Sequence, residues 1–164
     1  MKSRPKLDSP KTTFAKVAER VSFVLVAWMV VLSVVTWIDL PNQIPVHFSV
    51  FGESGRMGGK ASIFIFPIIG FFSTLFLSFV SKGTDMLSYP VKVTEENAER
   101  LYRESIRMLH LIQILIIALL TFLHADIILK AYGKSGLGNW MMPTFLILFV
   151  SVIVLSIYRM IKMK

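Results

Sequence analysis

Four polar residues of this chain have the chemistry to share a ligand or a metal ion. His47 and His124 carry imidazole rings, and Glu53 and Asp126 carry carboxylates. Two imidazoles with one carboxylate, as in His47, His124 and Asp126, suit zinc or another divalent cation. His47 equally suits a structural role in which its ring hydrogen-bonds the glycine-rich backbone around it. The four residues are far apart in sequence, so the metal site and the structural role stand as alternatives.

Two cations close to Glu53 widen this set into a candidate binding surface. Arg56 and Lys60 follow Glu53 along the chain, and either can pair with its carboxylate. Asp126 has a competing explanation, because Lys130 lies four residues on, where helical side chains of opposite charge meet. We therefore predict that a ligand or partner is bound by His47, Glu53, Arg56, Lys60, His124 and Asp126.

No catalytic residues are predicted. The chain has no cysteine, which excludes thiolate catalysis, disulfides and Cys-ligated zinc. It also lacks the H-E-x-x-H, G-x-S-x-G and P-loop motifs of common hydrolases and nucleotide-binding enzymes. We expect a non-enzymatic protein with no cofactor, a divalent metal at the histidines being the one exception considered. A membrane enzyme that uses the His and Asp groups at the outer face is a hypothesis that ranks below a binding role and a transport role.

Four uncharged stretches must position these residues. Residues 21–38, 61–81, 108–125 and 135–158 contain no Asp, Glu, Lys or Arg. Each is long enough to cross a hydrocarbon core about 30 Å thick at about 1.5 Å per helical residue. The sequence therefore predicts an all-α integral membrane protein. Its four transmembrane helices carry a structured extracytoplasmic hairpin between helices 1 and 2.

The distribution of Lys and Arg predicts the orientation of the helices. With both termini inside, the cytoplasmic segments hold 14 of the 18 Lys and Arg residues. By the positive-inside rule, the protein is N-in and C-in. The net charge of +8 sits beside apolar segments, so anionic lipid headgroups on the cytoplasmic side are the expected partners. No pattern typical of nucleic-acid binding accompanies this charge.

The N-terminal segment has a helical pattern before the first membrane segment. Ser9 and Pro10 have the residue types of an N-cap and a first helical position. Phe14, Val17 and Val21 then share one face among basic residues. We predict a short basic helix lying on the inner leaflet.

A second cytoplasmic helix is predicted to begin at Thr94 and to run straight into the third membrane segment. Glu95 and Glu96 suit its first turn, where the helix dipole favours negative charge. One stripe of this helix is formed by Ala98, Leu101, Tyr102 and Ser105. Both cytoplasmic helices present either interfacial faces or docking surfaces for a cytoplasmic partner.

Residues 40–60 connect the first two membrane segments with a turn-rich sequence. Two prolines and four glycines predict an ordered loop. Alternating apolar and polar residues over 46–50 predict a short extended piece. The residues expected to structure this loop are Pro41, Pro45, Gly52 and Gly58.

The same loop carries a combination of motifs: Leu-Pro-x-x-Ile-Pro-x-His-Phe, then Gly-Glu, then Gly-x-Lys at the second membrane segment. These motifs are formed here by Leu40, Pro41, Ile44, Pro45, His47, Phe48, Gly52, Glu53, Gly58 and Lys60. The combination resembles a bacterial membrane-protein domain family of unknown function found at the N-terminus of Sdp immunity proteins. The chain departs from that pattern at Ser49, where members often have Asn, and at Gly55, where they often have Asp.

The resemblance implies a multi-pass protein of the bacterial cytoplasmic membrane. With the charge pattern, it divides the chain into a basic cytoplasmic segment (1–20), an Sdp-immunity-like domain of two membrane helices and the motif loop (21–81), a cytoplasmic amphipathic loop (82–107), a second membrane helix pair (108–158) and a basic tail (159–164). We expect such a protein to bind a peptide, lipid or protein partner at its outer face, in immunity or signalling. The alternative is a small transporter component or accessory subunit. Homo-oligomerisation is left open.

Overall fold

The protein is a bundle of four long helices with a small hairpin at one end. The computed structural model describes residues 12–48, 54–138 and 140–164. The helices are α1 (Thr13–Thr36), α2 (Ile65–Val80), α3 (Ala98–Ala131) and α4 (Met141–Ile161). Strands β1 (Gln43–Phe48) and β2 (Ser54–Gly59) form the antiparallel hairpin between α1 and α2, and 3₁₀ turns at Lys60–Phe64 and Thr84–Met86 flank α2.

All four helices are long and apolar enough to cross a membrane, if the 3₁₀ turn before α2 is counted with it. Large apolar side chains such as Phe76 and Leu146 are exposed on the outside of the bundle. Such a surface is suited to lipid, since only segments that satisfy their own backbone hydrogen bonds can span a bilayer. The predicted all-α fold, with four candidate spans and a hairpin between the first two helices, is confirmed. The protein is a multi-pass membrane protein.

The helices alternate in direction, so the bundle has two distinct ends. The hairpin end holds the last turns of α1 and α3 and the first turns of α2 and α4. The terminal end holds the start of α1, the connection from α2 to α3, and the end of α4. Helix α3 packs against α1, α2 and α4, whereas α4 packs principally on α3. Helix α3 is therefore the central element of the bundle.

Helix α1 corrects the prediction of a separate basic helix on the inner leaflet. The Thr12 side chain accepts a hydrogen bond of 3.2 Å from the Ala15 backbone N–H, which caps the first turn. The helix then continues unbroken from Thr13 to Thr36, so Lys16 and Arg20 belong to the first turns of the membrane helix itself. The predicted cap at Ser9-Pro10 lies outside the described residues.

Helix α3 begins at Ala98, four residues later than predicted, and a capped turn that starts at Thr94 precedes it. The Thr94 backbone N–H donates to Asn97 Oδ1 at 2.8 Å, and the Asn97 backbone N–H donates to Thr94 Oγ1 at 3.3 Å. This reciprocal pair has the form of a capping box, and regular helix follows from Ala98. The predicted apolar stripe of α3 is buried, partly against Met160 of α4. It therefore belongs to the core of the bundle itself.

The fourth helix begins later than the uncharged stretch predicts. Gly133 and Gly138 have φ values of 71° and 97°, a left-handed conformation that ends a helix and favours glycine. Residues 132–138 therefore form the connection between α3 and α4, and α4 starts at Met141. Absence of charge marked the segment correctly but did not mark where the helix begins.

Candidate functional site

The predicted extended piece of the motif loop, residues 46–50, overlaps strand β1 over residues 46–48, and its last two residues lie outside the described part. The partner of β1 is β2. Ile44 lies opposite Gly58, and His47 lies opposite Arg56. The register shifts on both sides of His47, as at a β-bulge, where a strand bends and twists more strongly. Two of the predicted binding residues, His47 and Arg56, are thus neighbours across the hairpin. Their side chains lie outside the described part of the structure.

The four residues predicted to structure the loop occupy different positions. Pro45 is buried within β1, and Gly58 lies in β2 opposite Ile44. Pro41 is exposed between α1 and β1. Gly52 lies outside the described residues, as does Glu53, so their predicted roles stay predictions.

A buried apolar cluster fixes the base of the hairpin to the helices. It joins the residues around β1 to the 3₁₀ turn before α2 and to the last turns of α3. We call it the hairpin-mounting cluster, and its buried members are Leu40, Ile44, Ile63, Ile127 and Ile128. Because α3 supplies two of the five, the hairpin is attached to the central helix of the bundle and not only to the two helices it connects.

Lys60 is held at the start of the second membrane segment by Trp37. Its Nζ donates to the Trp37 carbonyl oxygen at 3.3 Å and lies 4.8 Å from the centroid of the Trp37 ring. A cation over an indole face is attracted by the ring quadrupole. The predicted alternative partner of Lys60 is Glu53, and that pairing stays a prediction because Glu53 lies outside the described residues.

His124 joins α3 to α1 in the interior of the bundle. Its Nε2 lies 2.8 Å from Ser33 Oγ, and Ser33 Oγ donates to the Met29 carbonyl oxygen at 2.9 Å. Because the hydroxyl has one proton, the imidazole Nε2–H donates in this arrangement and Nδ1 is the lone-pair nitrogen. The ring is fully buried, and Nδ1 has no hydrogen-bond partner among the residues described.

Asp126 fastens the connection between α3 and α4. One carboxylate oxygen lies 2.9 Å from Lys130 Nζ, and the other accepts a 2.6 Å hydrogen bond from the Leu137 backbone N–H. The predicted pair with Lys130 is therefore confirmed. The backbone contact was not predicted. It is long-range in sequence and depends on how residues 132–138 turn back over α3.

His124 and Asp126 thus have separate partners: His124 bonds Ser33 of α1, and Asp126 bonds Lys130 and the α3–α4 connection. Within residues 12–48, 54–138 and 140–164 there is no group of three or more His, Cys, Asp or Glu side chains that could hold a metal ion. The predicted site of His47, His124 and Asp126 depends on the His47 side chain, which is outside the described part, and stays a prediction. The arrangement shown for His124 and Asp126 is one of structural hydrogen bonds.

A second polar pair between α1 and α3, Ser22 with Gln113, lies nearer the terminal end, and His110 lies close to Glu19 beside it. Gln113 Nε2 donates to Ser22 Oγ at 3.1 Å, and His110 Nε2 lies 3.5 Å from Glu19 Oε1. Gln113 is therefore bonded to a neighbouring helix, whereas the hydrogen bond of His110 is to the Ile106 carbonyl oxygen of its own helix. The sequence holds a signal for the Ser22–Gln113 and Ser33–His124 contacts, because Ser22 and Ser33 are eleven residues apart and so are Gln113 and His124. Eleven residues are about three helical turns, which returns to nearly the same face.

An apolar layer separates the two polar pairs. Val26 and Met29 of α1 are buried against Ile117 of α3. Gly70 of α2 enters this layer, since a Cβ atom placed on it would lie 3.2 Å from side-chain atoms of both Val26 and Met29. Glycine therefore permits the close approach of three helices, as small residues do in membrane helix packing.

Residues 24–71 match the family model described as a domain of unknown function, DUF1648. The match runs from α1 through the hairpin to the first turns of α2, and it lies inside the predicted domain of residues 21–81. Nothing in this match concerns Sdp immunity proteins. No curated protein and no solved structure matches the chain. The chain is thus a multi-pass membrane protein with a DUF1648 domain.

Proposed function

We propose that this protein is a non-enzymatic membrane protein that binds a peptide, lipid or protein partner on its hairpin face. The observation that carries this proposal is the hairpin-mounting cluster, in which Ile44 and Ile63 are fully buried. Two six-residue strands at about 3.3 Å per residue reach about 20 Å from this base. A hairpin anchored in this way presents a surface at low entropic cost on binding, because its backbone is already ordered.

The surroundings of the polar groups support a binding role over a catalytic one. A general base must have a nitrogen or oxygen free to reach substrate. Asp126 uses both carboxylate oxygens within the chain. His124 has a lone pair on Nδ1, but its ring is fully buried, so substrate cannot reach that nitrogen in this conformation. These groups stabilise the end of the bundle on which the hairpin is mounted.

The proposal places the hairpin outside the cell and both termini in the cytoplasm, as the Lys and Arg distribution predicts. Helix α3 then connects the two sides, since its 34 residues extend about 50 Å. Its outer end holds the hairpin and its inner end packs on α4 and the 82–97 connection. This continuity supports a signalling role, and the resemblance of the motif loop to the domain of Sdp immunity proteins supports immunity.

Photocrosslinking in native membranes tests this proposal. A photoreactive amino acid replaces Met57 on β2, which is 56% exposed, or Met86 at the terminal end, which is 82% exposed as a matched control. We expect a discrete adduct from position 57 that is absent at position 86 and is lost when Ile44→Ala weakens the base of the hairpin. Equal adducts from both positions, or an adduct indifferent to Ile44→Ala, would contradict binding at the hairpin.

A small transporter component is the second candidate, favoured by the buried polar atoms between the helices. Among the described residues, Thr74 Oγ1, Gln113 Oε1 and His124 Nδ1 have no hydrogen-bond partner. Such groups are costly inside a membrane and often mark a pathway. Reconstituted liposomes with an internal pH-sensitive dye test this. Flux that Gln113→Leu abolishes would select transport, and absence of flux leaves the binding role.

A further inference from the structure

A basic cavity opens at the terminal end of the bundle, on the opposite side from the hairpin. Its volume is about 560 Å³. The start of α1 forms one wall with Thr12 and Phe14, and the first three turns of α3 form another. Met163, near the end of the chain, closes the third side. The cavity thus lies where α1, α3 and the segment after α4 meet.

Two arginines of this cavity form no ion pair within the part of the chain that the structure describes. Glu99 pairs with Arg103 at 2.5 Å, and Glu104 pairs with Arg159 of α4 at 3.4 Å. Arg100 and Arg107 also line the cavity, and neither forms an ion pair with a carboxylate in the described ranges 12–48, 54–138 and 140–164. The cavity therefore holds two guanidinium groups that no carboxylate of the described residues neutralises.

The spacing of these two arginines fits the headgroup layer of a bilayer. They are seven residues apart on α3, so they lie on the same side of the helix, separated by about 10 Å along its axis. Arg107 directly precedes the uncharged residues 108–125, which places it at the edge of the hydrocarbon core. Arg100 lies two turns nearer the start of α3, a position that suits the headgroup layer. Phe14 adds an apolar wall beside Arg107 and Arg100.

We propose that this cavity binds the phosphate of an anionic phospholipid through Arg100 and Arg107, with Phe14 against the glycerol and upper acyl region. Guanidinium groups donate paired hydrogen bonds that match phosphate oxygens. A membrane lipid is favoured over a soluble phosphate, because Arg107 borders the hydrocarbon and Phe14 contributes apolar surface within the same cavity. This site is independent of the partner proposed for the hairpin, since it lies at the other end of the bundle.

Lipid binding to the full chain in detergent tests this proposal by native mass spectrometry. Phosphatidylglycerol is titrated against phosphatidylcholine, which has the same phosphate but no net charge. Each basic residue near an anionic lipid strengthens binding about fivefold, so we expect the double variant Arg100→Gln with Arg107→Gln to lose about 30-fold in affinity for phosphatidylglycerol. The matched control is Lys82→Gln with Lys92→Gln, which removes the same charge from exposed positions at the same end. It should stay within about twofold of the wild type.

Three outcomes would overturn the proposal. One is a wild-type protein that binds phosphatidylglycerol and phosphatidylcholine equally, a comparison that needs no variant to fold. Another is an equal loss in the lysine control, which would indicate a diffuse basic surface and not this cavity. The third is binding of inorganic phosphate or glycerol phosphate with an affinity equal to that of the lipid, which would make the ligand a soluble phosphate.

Discussion

His124 on α3 and Ser33 on α1 are joined by a hydrogen bond of 2.8 Å that lies wholly within the bundle. The Gln113–Ser22 bond joins the same two helices eleven residues earlier on each. A shift of either helix by one turn would break both bonds together. The two pairs therefore fix the register of α1 against α3, which in turn positions the end of α3 that carries the hairpin.

Ser33→Ala should lower the free energy of unfolding by about 1 kcal/mol, because it leaves the imidazole N–H of His124 without an acceptor. A double-mutant cycle with His124→Ala should give a coupling energy of about 0.6–1.7 kcal/mol. Ser151→Ala is the control, since that hydroxyl bonds only its own helix, at Ile147. The measurement is reversible unfolding in detergent, and strictly additive effects would contradict the bond.

Asp126→Ala should destabilise the protein by about 2 kcal/mol, because a half-buried backbone N–H and a lysine both lose a charged acceptor. An exposed ion pair alone would contribute only about 0.3–0.5 kcal/mol, yet Asp126 is 3% exposed. Gly136→Ala should destabilise the same contact, because a Cβ there would overlap Asp126 Oδ1 and Lys130 Cε. Ser135→Ala, at an exposed neighbour, should leave the melting temperature unchanged. If none of the three substitutions changed the melting temperature, the role of Asp126 in holding the α3–α4 connection would be contradicted.

Gly70→Leu should prevent normal accumulation of the protein in membranes, because the side chain would enter the layer of Val26, Met29 and Ile117. Gly70→Ala should cost no more than about 1 kcal/mol, since the Met29 side chain is flexible enough to move. Gly83→Ala is the matched control, with no atom within 4 Å of the added Cβ. Quantitative blotting of membrane fractions measures the outcome, and wild-type levels of Gly70→Leu would argue against close packing of α2.

Ile44→Ala should destabilise the hairpin by about 2–4 kcal/mol, because it opens a cavity in the mounting cluster. Met57→Ala, at an exposed position of β2, should stay within about 0.5 kcal/mol of the wild type. Limited proteolysis of the purified protein distinguishes them: residues 41–59 should be cut rapidly in Ile44→Ala and slowly in Met57→Ala. Rapid cleavage of the wild type in this region would mean that the hairpin is not packed stably on the helices.

The orientation of the helices can be tested by single-cysteine labelling, which needs no background removal because the chain has no cysteine. Ser135→Cys lies at the hairpin end and Ser88→Cys at the terminal end, both at exposed positions. By the positive-inside rule, a membrane-impermeant maleimide should label position 135 in intact cells and position 88 only after lysis. The reverse pattern would invert the proposed topology.

The sequence by itself determined which segments cross the membrane. Burying a charge in hydrocarbon is costly at every position of a span, so a long uncharged stretch identifies a span without knowledge of its neighbours. Capping residues also act locally, and Thr94 marked the capped turn that precedes α3, although the helix itself begins at Ala98. The prolines and glycines of residues 40–60 likewise marked a turn-rich connection, and the alternation of side chains marked β1.

Only the tertiary structure decided which polar residues meet. Asp126 was placed with Lys130 by helical spacing, but its second partner is a backbone N–H eleven residues away, reached through a turn built on Gly133 and Gly138. The equal spacing of Ser22–Ser33 and Gln113–His124 is visible in the sequence. Its meaning depends on α1 and α3 facing each other with a particular rotation, and that rotation is set by the packing of all the helices together.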